Sequence, residues 1–119
     1  MNDIEIVSWD DKPTVLKIVK KNGSALYYAS KRLKDDREVV LAAVKKGGIA
    51  LKFASERLRD NEDVVREALK RNVYMLNYAS KRLQKDEDIL KDIPRYIFAD
   101  FQKYMFARTQ KERSKNEKA

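Results

Sequence analysis

Short apolar clusters alternate with charged runs along this chain, and the alternation returns every 25 residues. In the middle copy, Val39, Val40, Ala43 and Val44 recur at three- and four-residue spacing, which places them on one face of a short α-helix. The pattern resumes with Leu51, Ala54, Ser55 and Leu58, which predicts a second helix from about Gly48 to Leu58 with Phe53 at its flank. Each unit therefore reads as two short helices joined by two short connections. Helices of this length are marginal in isolation and draw their stability from packing on neighbours.

Three units follow one another without a gap: Asp10 to Lys34, Asp35 to Arg59 and Asp60 to Gln84. Eight of the 25 columns are identical in all three. They are Asp10/Asp35/Asp60, Val15/Val40/Val65, Lys20/Lys45/Lys70, Leu26/Leu51/Leu76, and the Ala, Ser, Arg and Leu of the motif that runs Ala29 to Leu33, Ala54 to Leu58 and Ala79 to Leu83. A further column holds Tyr28, Phe53 and Tyr78, always a large ring, and its place in the pattern predicts burial. A fourth copy starts at Lys85, where Asp86 to Leu90 echoes the helix start, and Pro94 breaks it off.

Local signals agree with the unit. Asp35 and Asp36 with Glu38 put oxygen acceptors where a helix has unpaired N–H groups, and Lys45-Lys46 puts positive charge at the carbonyl end. Asn22, Gly47 and Asn72 follow the first helices, and these residue types predict a left-handed helix stop. Ala54 and Ser55 are small enough to admit a neighbouring helix, with the Ser55 hydroxyl expected on the carbonyl of Leu51. Pro13 falls in a first turn, where a helix tolerates it.

The predicted fold is all-α: a short right-handed α-solenoid of about seven to eight helices. Residues 1–9, with Ile4, Ile6, Val7 and Trp9, are expected to cover the first unit. The array occupies 10–93. Residues 94–108 are expected to cap its other end through Ile97, Phe101, Tyr104 and Met105, and 109–119 form a polar tail expected to lack order.

Composition narrows the chemistry. Cysteine and histidine are both absent, which removes disulfides, thiolate nucleophiles, imidazole or thiolate metal sites and the usual proton shuttle at neutral pH. No cofactor is expected, and the expected class is non-enzymatic. Ser30, Ser55 and Ser80 lack a basic partner and read as seam residues, while Asp86, Glu87, Asp88 and Asp92 read as helix-start carboxylates rather than a cation site. No apolar window is long enough to span a membrane and the N-terminus carries no secretory pattern. The expected compartment is the cytoplasm, with signal-independent export left open.

The run Lys21-Asn22-Gly23-Ser24-Ala25-Leu26-Tyr27-Tyr28-Ala29-Ser30, followed by Asp36-Arg37-Glu38-Val39-Val40-Leu41-Ala42-Ala43-Val44, resembles a tandem helical repeat classed as a domain of unknown function and found in arrays in bacterial and protist proteins. The resemblance covers residues 12 to 93 and implies an all-helical scaffold with interaction roles. It supplies no catalytic residues. Val73 stands where that pattern has glycine after Asn72, so the third turn is expected to differ.

Charge is the remaining signal. The net charge is +8, and residues 10–34 hold seven Lys and Arg against two Asp. Lys20-Lys21, Lys45-Lys46 and Lys70-Arg71 close the first helices, and Arg32, Arg57 and Arg82 recur on the second. Stacking turns such columns into stripes. The helix dipole accounts for their positions in every copy, and a cationic track is the competing account. Tyr27, Lys52 and Asn77 share a column that varies on an outer face, where a repeat array makes its contacts. Phe98 and Phe106 do not fit the capping face, so they join the candidate surface and offer a weak homodimer contact; otherwise the chain is expected to be a monomer. The expected function is a scaffold that binds another protein, with nucleic acid on the Lys/Arg stripes as the alternative.

Overall fold

The computed structural model describes residues 7–91 together with Ile93, Pro94, Ile97, Ala99 and Lys103. The described residues are all-helical, without a strand. Each unit contains three pieces rather than two. A ten-residue helix comes first: α1 (Lys12–Lys21), α3 (Arg37–Lys46) and α5 (Glu62–Arg71). A six-residue 3₁₀ segment follows, at Gly23–Tyr28, Gly48–Phe53 and Val73–Tyr78. A four-residue helix closes the unit: α2 (Lys31–Lys34), α4 (Glu56–Arg59) and α6 (Lys81–Gln84). Among the described residues the fourth copy gives α7 (Glu87–Leu90), which ends ahead of Pro94.

The long helices and α7 start as their sequences predict. The side chains of Asp11, Asp36, Asn61 and Asp86 accept from Thr14, Val39, Val64 and Ile89 N–H groups, satisfying donors that a helix start leaves unpaired. Pro13 lies in the first turn of α1. Their ends differ from expectation. Asn22, Gly47 and Asn72 are extended, with φ of −146°, −153° and −159°, and no described residue has positive φ. The asparagines act forward instead: Asn22 and Asn72 accept from the N–H groups of Ser24 and Tyr74, capping the 3₁₀ segments. The third turn keeps this geometry despite Val73.

The single second helix is also corrected. Ala54 and Ser55 are extended, at φ/ψ of −72°/159° and −62°/160°, so the chain leaves one helix and starts another between Phe53 and Glu56. The break occurs because Ser55 is an N-cap, its hydroxyl accepting from Leu58 N–H, and not a residue bonded back to Leu51. The inward set survives that break. Leu51 and Leu58 are fully buried and Ala54 nearly so.

Long helices pack beside one another, α1 on α3 and α3 on α5, and the 3₁₀ segments form a second row that packs against them. Between the rows lies one apolar core in which Val15, Val40, Val65, Leu26, Leu51 and Leu58 are buried. Trp9 and Ile97 pack half-buried against it from the two ends. Residues 1–6 and the remaining predicted capping side chains Phe101, Tyr104 and Met105 lie outside the described residues, as does 109–119. Replacing Ala54 by Leu is expected to cost about 1–3 kcal/mol through overpacking, seen as a lower denaturant midpoint.

Candidate interaction surface

Two of the identical polar columns and their serine have a structural duty that the linear pattern did not disclose. In every unit Asp accepts from Ser twenty residues on and from Arg twenty-two on: Ser30 and Arg32 to Asp10, Ser55 and Arg57 to Asp35, Ser80 and Arg82 to Asp60. The hydroxyl contacts are 2.6–2.7 Å and the guanidinium contacts 2.9–3.0 Å. Each arginine also reaches the Asp backbone carbonyl. Alongside, the N–H of Ser30, Ser55 and Ser80 donates to the carbonyls of Trp9, Lys34 and Arg59. The carboxyl ends of α2 and α4 are thereby stapled to the amino ends of α4 and α6, and Trp9 and Asp10 to that of α2. These are surface contacts, so their main effect is to set alignment rather than to add much stability.

The serine and arginine bonds hold the carboxyls of Asp10, Asp35 and Asp60 below the ordinary aspartate value. A carboxyl whose pKa is lower folded than unfolded stabilises the fold above about pH 4 and loses that contribution as pH falls through the folded value. The denaturation midpoint is therefore expected to stay level down to about pH 4 and fall below it. Asp35→Asn should flatten part of that fall, measured by titrating the midpoint from pH 6 to pH 2.5.

Arg32, Arg57 and Arg82 thus belong to staples, although each stays exposed. The invariant lysine column behaves differently. Lys20 and Lys45 form no ion pair among the described residues, and Lys70 pairs only with its helix neighbour Glu67 at 3.2 Å. The column lines two grooves on the row of long helices. One, about 910 Å³, has Leu16, Leu41 and Ala42 at its floor and Lys20, Lys45 and Lys46 among its charges. The other, about 510 Å³, runs past Leu41, Leu69, Val73 and Ile89 with Lys45 and Lys70 beside it. The acids in the first groove already have partners: Lys12 pairs with Asp36 and Glu38 at 3.0 Å, and Arg57 with Asp35. Arg37 reaches Asp63 in the second groove at 2.8 Å. Three lysines of the first groove are left as surplus charge.

Lys21 and Arg71 are exposed beside these grooves but line neither. Asn77 is half-buried, its carbonyl accepting from Gln84. Phe98 and Phe106 lie outside the described residues. Tyr27 is exposed as expected, at 57 %, and Lys52 is exposed too. The neighbouring ring column contradicts the reading of burial. Tyr28 is 61 % exposed, and Phe53 and Tyr78 are only half-buried, because in the tight 3₁₀ winding Leu26, Leu51 and Leu76 take the inward face and the two positions after them turn away from it. Tyr27 meets Tyr28 and Phe53 edge-on at ring centroid distances of 5.0 and 5.3 Å, and Trp9 lies 5.3 Å from Tyr28. The signal for the staples was present in the constant Asp–Ser–Arg spacing. For the ring ridge no linear signal existed.

A family model described as a domain of unknown function, DUF4116, matches residues 11–59, 36–84 and 61–93. The chain belongs to that family. The three DUF4116 windows begin on Asp11, Asp36 and Asn61, the N-caps of α1, α3 and α5, so the matches step along the chain with the structural unit. No curated protein and no solved structure matches the chain. Among the described residues no group of His, Cys, Asp and Glu is placed to hold a metal ion, and no helix is long and apolar enough to cross a membrane.

Proposed function

We propose that the chain is a non-enzymatic scaffold, a short right-handed α-solenoid, that binds an acidic amphipathic segment of another protein along its long-helix grooves. One observation carries the reading. Of the eight identical columns, seven are buried or stapled, and Lys20/Lys45/Lys70 alone is exposed with little intramolecular duty. These lysines line the grooves together with Leu16, Leu41 and Leu69. A segment with apolar residues on one side and carboxylates on the other fits that combination, as a helix fits a groove. The rows of packed helices present the surface already ordered, so docking immobilises little of the scaffold. Phosphate backbones suit the lysines but not the leucine floor.

The test is affinity capture from nuclease-treated lysate with the native chain and with Lys20→Gln/Lys45→Gln/Lys46→Gln. Capture by the native chain alone, with equal denaturation midpoints, is the expected result. Equal capture by both chains, or loss of all capture with nuclease, would overturn the reading.

A further inference from the structure

A second surface lies apart from the grooves. Trp9, Tyr28, Tyr27 and Phe53 form a continuous chain of ring contacts, and none of the four lines either groove. Edge-to-face packing fixes their orientation, at interplanar angles of 89° and 76°, while more than half of Tyr27 and Tyr28 remains in solvent. Cations sit among the rings. The Lys34 ammonium is 5.6 Å from the Tyr27 centroid, and Lys52 lies between Phe53 and Tyr78 at 5.9 and 5.8 Å. Neither lysine has an ion pair among the described residues. Three of the four rings also lie in or beside residues 10–34, where seven bases face two acids.

We propose that this ridge binds single-stranded nucleic acid, its bases stacked on the rings and its phosphates drawn to Lys34 and Lys52. Unpaired bases offer flat π faces to exposed rings, and every base has one, so such a ridge is tolerant of sequence. A duplex hides those faces inside its stack. Positive charge alone would attract either form, and it is the alternation of ring and ammonium that selects the single strand. The local excess of base over acid supplies the complementarity to a polyanion.

The test uses a fluorescein-labelled 15-nucleotide oligothymidine and a 15-base-pair duplex, followed by anisotropy between 50 and 200 mM salt. Trp9, the sole tryptophan, supplies a second readout. The expected results are tighter binding of the single strand and quenching of Trp9 emission. Tyr28→Ala should weaken that binding about tenfold or more with an unchanged salt slope, because it removes a stacking face and no charge. Lys52→Gln should reduce the slope of log K against log salt by about 0.7. Tyr28 is exposed, so its variant is expected to keep the native denaturation midpoint. The groove variant Lys20→Gln/Lys45→Gln/Lys46→Gln should retain the preference for the single strand, which separates this site from the protein-binding one. Equal affinity for the duplex, no binding at 50 mM salt, or unchanged affinity in Tyr28→Ala would overturn the proposal. So would a protein captured after nuclease treatment through Tyr28 while the oligonucleotide fails to bind.

Discussion

Leu51→Ala is expected to destabilise the chain by about 2–5 kcal/mol, read as a lower midpoint in urea or on heating. Leu51 is fully buried in the 3₁₀ segment of the middle unit, and that segment packs against both of its counterparts as well as against α3 and α5. The lost atoms leave apolar transfer energy unclaimed, and the cavity left behind cannot close without moving rows on both sides. Domains of this size hold only about 5–15 kcal/mol in all, so one such loss is a large fraction. Leu51→Met keeps the volume and should cost less than about 1.5 kcal/mol. Similar midpoints for Ala and Met would mean that the 3₁₀ row is not part of the core.

Gly48→Ala is expected to cost about 1–3 kcal/mol, with Gly23→Ala at or above the top of that range, while Gly47→Ala should be neutral or stabilising. The three glycines all have ordinary backbone angles, so the reason is space. A Cβ on Gly23 would stand 2.3 Å from the Ala43 carbonyl oxygen, and one on Gly48 would stand 2.9 Å from that of Ala68 and 3.0 Å from the Arg71 Cβ. Those obstacles are mostly backbone of the next long helix, which cannot swing aside like a side chain. A Cβ on Gly47 meets nothing within 4 Å. Gly47→Asn goes further, because Asn22 and Asn72 show the cap that position lacks, and a gain of a few tenths to about 1 kcal/mol is expected. Equal midpoints for Gly47→Ala and Gly48→Ala would refute the close approach.

Space explains Val73 as well. Gly23 meets Ala43 and Gly48 meets Ala68; the next position in that series is Ile93, which lies past the end of α7. Among the described residues no helix turn stands there, so a branched side chain fits and the turn keeps its form. Residue type alone predicts a different turn at Val73. The cause lies 20 residues away in sequence and in contact only after folding.

Several features were legible from residue order because they arise within a few residues. The N-caps at Asp11 and Asp36, Pro13 in a first turn, and the buried faces of α3 and of Leu51, Ala54 and Leu58 follow from local bonding and periodicity. The stop at Asn22 differs from the left-handed one that its residue type predicts, because glycine and asparagine serve two kinds of cap and residue type alone does not choose between them. The break at Ser55 was misjudged for a related reason: a serine at helical spacing from Leu51 suits a helix interior and a new helix start equally. The carbonyl of Lys34, accepting the Ser55 N–H from the preceding unit, tips that balance.

The surface shows the limit most clearly. Lys20, Lys45 and Lys70 were identifiable by their constancy, yet only packing placed them in grooves shared with leucines and gave Asp35, Asp36, Glu38 and Asp63 to other cations. Tyr28 and Phe53 read as core because large rings at a repeating position normally are, yet the 3₁₀ winding leaves Tyr28 in solvent and Phe53 only half-buried, beside Lys52. Residue order by itself determined the 25-residue unit, its helical class, the apolar faces and the absence of thiol and imidazole chemistry, since these depend on composition and short-range periodicity. Tertiary structure alone decided which polar groups became staples, which glycines admit no methyl group and which rings meet across units, because each depends on an atom about 20 or more residues away that folding brings into contact.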